Sequence, residues 1–161
     1  MVFSGRNLSG QDPYELRGAN DARLAALEAG PRGALAYETQ TSNLTGFSTE
    51  ADLPGCTVTV TVTAGRRLRV TGRVAIVSPT VANDEWVLWI NEDGTHKQHD
   101  VRRNPNIGDS MNLFVVYVTE PSAGDRTYKL SVERTVGTGT ANTSTSADRL
   151  GFILIEDIGP A

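Results

Sequence analysis

The run Cys56-Thr57-Val58-Thr59-Val60-Thr61-Val62-Thr63-Ala64-Gly65-Arg66-Arg67-Leu68-Arg69-Val70-Thr71-Gly72-Arg73-Val74-Ala75-Ile76 decides the fold. Side chains of a strand point alternately to its two faces. Cys56, Val58, Val60 and Val62 therefore form a buried face, and the threonines between them a wet one. Ala64-Gly65-Arg66 supplies a turn, after which Leu68, Val70, Gly72, Val74 and Ile76 alternate with Arg67, Arg69, Thr71 and Arg73. Together they read as an antiparallel hairpin, apolar on one side and solvated on the other.

The same period runs outward to the C-terminus. Trp86, Leu88 and Ile90 alternate with Val87 and Trp89, and Asn91-Glu92-Asp93-Gly94 is a hairpin turn leading into a polar strand from Thr95 to Val101. Asn104-Pro105-Asn106 and Gly108 break the chain before Met111, Leu113, Val115 and Tyr117, which oppose Phe114, Val116 and Val118. Pro121 to Gly124 turns into Tyr128, Leu130 and Val132. Gly137 to Ser146, rich in glycine, threonine, serine and asparagine, reads as a mobile loop, and Leu150, Phe152 and Leu154 form the last strand. With a first strand over Ala34 to Thr41, the count is eight, with no helix between them. The expected fold class is mainly β: an eight-stranded antiparallel jelly-roll-like β-sandwich over residues 33–161. The strands around Trp89 and from Phe114 to Val118 are apolar on both faces. That surplus predicts cover by a symmetric oligomer, or else by loops and an N-terminal helix.

Ahead of the β-domain the composition differs. Residues 1–11 are polar, with Val2, Phe3 and Leu8 as the only sizeable apolar groups, too few to fold alone. Residues 12–30 read as a helix: Asp12 as N-cap, Pro13 at the first helical position, Glu15 three residues after the cap, and Gly30-Pro31 as the stop. Leu24 and Leu27 form a short seam, with Arg17 and Asn20 one heptad earlier. Such a seam fits a small bundle that uses polar residues for register. It fits equally well a helix packing its Leu16, Leu24 and Leu27 side on the β-domain or on a partner.

Bulk numbers exclude several classes. The chain has 161 residues, 39% of them hydrophobic, and a net charge of −4, so it has a core and no basic field for nucleic acid. Its single cysteine, Cys56, permits no intrachain disulfide and is expected as a small buried side chain. The N-terminal residues lack the apolar stretch of a signal peptide, and no window reaches the ~20 apolar residues of a membrane span. A soluble protein without membrane insertion is expected.

Little in the sequence points to chemistry. His96 and His99, three apart on a strand, are expected on opposite faces, where they would not share a metal. Glu85 with Asp84, and Glu92 with Asp93, are candidate carboxylate pairs for a carbohydrate-acting enzyme, and only because they are carboxylates. Arg67, Arg69 and Arg73 share one face of a strand and form either a solvated row or a surface for carboxylates across a subunit boundary or for an acidic sugar. No catalytic residue, cofactor or metal site is expected.

Four segments, Arg32-Gly33-Ala34-Leu35-Ala36-Tyr37, Ala64 to Gly72, Tyr128-Lys129-Leu130 and Phe152 to Pro160, resemble a β-module of virion proteins from tailed phages of actinobacteria. Modules of this kind occur in minor tail proteins or fibres and in head decoration proteins. Gly5-Arg6-Asn7-Leu8 and Asp12 to Arg17 resemble the attachment arm and neck of such a protein. The resemblance implies a homotrimer within a virion. Val2, Phe3, Arg6, Asn7 and Leu8 would anchor it to other virion proteins of tail or capsid, and Leu16, Asn20, Leu24 and Leu27 would form the neck. The β-domain would face outward, toward host surface glycans. A minor tail or fibre-type appendage is the first expectation, a head decoration protein the second, and a small carbohydrate-acting enzyme the last.

Overall fold

A computed structural model describes residues 33–161, which form nine strands. These are β1 (Gly33–Thr39), β2 (Ala51–Val62), β3 (Arg66–Val77), β4 (Glu85–Glu92), β5 (Thr95–Arg103), β6 (Met111–Thr119), β7 (Gly124–Val136), β8 (Asn142–Thr143) and β9 (Phe152–Pro160). The arm of residues 1–11 and the helical neck of 12–30 lie outside the described residues.

The chain behaves as one long hairpin folded at Asp93-Gly94, where both residues take positive φ (50° and 79°), as a type I′ turn requires. Outward from that turn the pairs nest: β4 with β5, β3 with β6, β2 with β7, and β1 with β9, all antiparallel. Rolled up, the nested hairpin gives two sheets, β1-β9-β3-β6 and β2-β7-β4-β5. This is a jelly-roll sandwich. The space between the sheets is filled by the expected Val70, Ile76, Trp86, Leu88, Ile90, Leu113 and Leu130, all fully buried, whereas in β9 it is Ile153 and Ile155 that are buried and the expected Phe152 and Leu154 that face outward, half-buried. Gly72 makes room for the facing sheet, since a Cβ there would stand 2.6 Å from Leu130 Cδ2.

Three further expectations change. The ninth strand, β8, falls in the stretch expected to be a mobile loop, and pairs with Ile76 and Val77 of β3. That stretch is packed: the Asp84 carboxylate accepts from the amides of Gly139 (2.8 Å) and Thr138 (3.3 Å), and a Cβ on Gly137 would overlap it. The glycines there allow close approach of backbone to a buried carboxylate. Second, Arg66 is a buried strand residue and not part of an exposed turn. Its guanidinium meets Asp157 through Nε (2.9 Å) and Nη2 (2.5 Å), with both side chains almost wholly buried.

The third change concerns the histidines. Ile90 pairs with Gln98, yet Asn91 pairs with His96, so Lys97 is an extra residue, a β-bulge in β5. One extra residue reverses the alternation. His96 and His99 consequently lie on the same face, both against Trp89, and not on opposite faces as a regular strand demands. Among the described residues no group of three His, Cys, Asp or Glu side chains is arranged to hold a metal ion.

On the β5/β6 side of the sandwich, the Asp100 carboxylate accepts the backbone N–H of Phe114 at 3.0 Å. β5 itself is exposed nearly throughout and carries His96, Lys97, His99, Asp100, Arg102 and Arg103, a charged edge of the kind that discourages strand addition.

Candidate functional site

Two surfaces stand out, one on the outer side of each sheet. On β1-β9-β3-β6, residues paired across strands share a face, so the register defines rows. Tyr37, Leu154, Thr71 and Val116 make one uncharged row across all four strands. Beside it run Thr39, Phe152, Arg73 and Phe114 on one side, and Glu156, Arg69 and Val118 on the other. Tyr37 and Phe152 touch ring to ring at 5.7 Å. Tyr37 is 56% exposed, Phe114 52%, Val116 40% and Val118 52%, so among the described residues nothing covers the apolar surplus read from the sequence on β6.

The arginine row lies in the middle of this face. Arg69 is paired with Glu156 (Nη2 to Oε2, 2.8 Å), Arg73 reaches Asn112 Oδ1 (3.2 Å) and the Asp148 carbonyl (3.3 Å), and Arg67 is exposed. Arg69 and Arg73 thus flank Thr71, which is buried between Leu154 and Val116 in its row.

On the outer side of β2-β7-β4-β5, Trp89 is the centre of an aromatic and carboxylate cluster. His96 stacks on its ring at 4.4 Å and 12°, and His99 leans against it at 4.5 Å and 51°. The indole Nε1 donates to Glu133 Oε1 at 2.8 Å. Glu50, from the segment entering β2, accepts from Ser131 Oγ (2.6 Å) and meets His96 Nε2 (2.8 Å), while Asn91 Nδ2 donates to Ser131 Oγ (2.9 Å). The Ser131 and His96 hydrogen bonds hold the Glu50 carboxyl below its ordinary value of 4.5. Trp89, apolar surplus by sequence, is thereby covered within the chain, and the cluster ties the edge strand β5 to the sheet. Sequence reasoning missed it because a bulge has no composition signal here.

Other candidates are engaged structurally. Asp84 holds the Gly139 loop, Glu85 pairs with Arg103, Glu92 accepts from Tyr128 and Tyr117, and Asp93 from Arg126 and the Thr127 amide. Cys56 is buried, and burial, with the Glu38 charge, pushes its thiol up to about 12. It is not poised as a nucleophile.

No protein-family model matches the sequence, and no curated protein matches it. Among solved structures, the chain is similar to an Eiger TNF from S. frugiperda, with 16% identity, covering 82% of this chain and 95% of that one, at a TM-score of 0.51. It is also similar to murine APRIL, with 13% identity, covering 78% of this chain and 99% of that one, at a TM-score of 0.55. A weaker likeness to an infectious bursal disease virus structure covers 81% of this chain and 38% of that one, with 11% identity and a TM-score of 0.43, and carries no argument. At these identities the first two likenesses concern the fold alone, and they agree with the jelly roll read from the strand pairing.

Proposed function

We propose that this chain is a non-enzymatic structural protein of a phage virion, a minor tail or fibre-type appendage. In this reading it joins copies of itself through the outer face of β1-β9-β3-β6 as a homotrimer. Residues 1–11 attach it to other virion proteins, and the β-domain is displayed toward the host surface. The observation that carries the assembly is the uncharged row Tyr37, Leu154, Thr71 and Val116, flanked by exposed Phe114 and Val118. Burying a side chain of this size is worth about 1.5–3 kcal/mol, so several together favour association strongly. The face is aromatic at its β1/β9 end and mainly β-branched at its β6 end. Contact between unlike ends of successive copies is head-to-tail, and it closes into a ring of three where each contact turns the next copy by about 120°. Three copies, and the virion itself, are what the family resemblance supports.

Sedimentation velocity tests the assembly. The full chain should sediment as a trimer at micromolar concentration, and Val116→Asp should sediment as a monomer with an unchanged circular dichroism spectrum. A monomeric wild-type chain would overturn the reading. Cryo-electron microscopy of intact particles tests the place: a few copies on the tail fit the appendage, whereas many copies over the head would make it a decoration protein.

A further inference from the structure

A cleft of about 320 Å³ opens at one end of the sandwich, between the β4–β5 turn and the β6–β7 connection. That is near the small end of the roughly 300–1,000 Å³ typical of small-molecule sites. Glu92 lines it, with a side chain 10% exposed. One carboxylate oxygen accepts from the Tyr128 hydroxyl (2.9 Å) and the other from the Tyr117 hydroxyl (3.3 Å). A carboxylate has about four lone-pair sites, so these two bonds leave acceptor capacity. The Lys97 ammonium stands 3.8 Å from Glu92 Oε2, beyond hydrogen-bond range. Lys97 is the bulge residue of β5, and bulges commonly re-aim a side chain beside a functional site.

The rest of the lining narrows the ligand. Arg126 is spoken for by Asp93 (2.8 Å) and by the Ser122 carbonyl (3.2 Å) and hydroxyl, so this pair offers hydrogen-bonding groups with its charges mutually neutralised. Glu92, Asp93 and Glu120 slightly outweigh Lys97 and Arg126, which gives a phosphate or other anion no net attraction. Hydroxyls of Thr95, Thr119 and Ser122 line the same space, which does not suit an apolar guest. A cation at the Glu92 carboxylate would meet the Lys97 ammonium, 3.8 Å from it, which leaves a neutral ligand whose groups both donate and accept. A hydroxyl placed between Lys97 and Glu92 would accept from the ammonium and donate to the carboxylate, and a neighbouring hydroxyl could use the second Glu92 oxygen.

We propose that this cleft binds a neutral polyhydroxylated ring, a single pyranose or furanose unit, through Glu92 and Lys97. The proposal deepens the display function and rests on it only for where the sugar is met, on a host surface glycan. Saturation-transfer NMR on the full chain, with methyl glycosides of glucose, mannose, galactose and arabinose at millimolar concentration, tests it. Transfer from at least one glycoside is expected. In Lys97→Ala, whose change is at an exposed position, affinity should fall about tenfold, as loss of one charge-assisted hydrogen bond implies. Glu92→Gln should abolish transfer, provided its circular dichroism matches wild type. Silence from all four glycosides, or transfer indifferent to Lys97→Ala, would overturn the site. Transfer from a glycoside without retention on host cells would leave the cleft standing and sink its role in display. Trimer assembly is read separately by sedimentation.

Discussion

Glu50 illustrates how one side chain couples an aromatic cluster to pH. Its carboxyl is held below 4.5 chiefly by the Ser131 hydroxyl and next by His96, against the opposing effect of burial. A carboxyl lowered in the folded state stabilises fully above its unfolded value, and that contribution disappears as pH falls through the lowered folded value. Urea midpoints measured between about pH 3 and pH 7 should therefore converge for wild type and Glu50→Gln at the acid end and separate at the neutral end. A constant separation across that range would show that Glu50 acts through packing alone. Arg66 and Asp157, unlike Glu50 and His96, form a charged contact that is almost wholly buried. Removing one partner from such a pair typically costs about 3–5 kcal/mol, because the remaining charge is stranded.

At the scale of elements, the β4–β5 hairpin concentrates what sequence patterning could and could not reach. Its turn was legible because Asp93-Gly94 suits positive φ at both positions. Its strands were legible from alternation, as were those of β3, β6 and β9. The nested pairing was expected only as a class, since alternation identifies faces and does not name partners. The bulge at Lys97 was illegible, because the extra residue leaves the local composition unchanged while reversing the face of everything before it. The histidine cluster and the Glu92–Lys97 cleft both depend on that reversal and stayed hidden with it. Arg66 was hidden for a different reason, since its partner Asp157 lies 91 residues away. Cross-strand pairs contribute about 0.2–1 kcal/mol each, so Trp89→Ala, which removes two ring contacts, should speed amide exchange along β5 by about tenfold and leave β7 protected. Equal acceleration in both strands would mean that the cluster supports the whole sheet rather than its edge.

For the whole molecule, the question is how a surface can be adhesive yet stop at a finite size. In the proposed assembly the outer face of β1-β9-β3-β6 offers its exposed apolar side chains to another copy, and a closed ring consumes them all. Strand edges have no such natural end point, because each added strand exposes a new edge. The Asp100 carboxylate on the Phe114 amide occupies one backbone donor that β6 would otherwise present, and nearby charges on β5 keep that side wet. Asp100→Ala frees the donor without touching the apolar rows. On prolonged agitation this variant should form thioflavin-positive fibrils while wild type stays clear, with light scattering and negative-stain images as the readout. Equal clarity of the two would show that the charges on β5 suffice. If instead Asp100→Ala forms fibrils and wild type does not, one carboxylate bonded to the backbone of β6 is what separates a particle of fixed size from an amyloid.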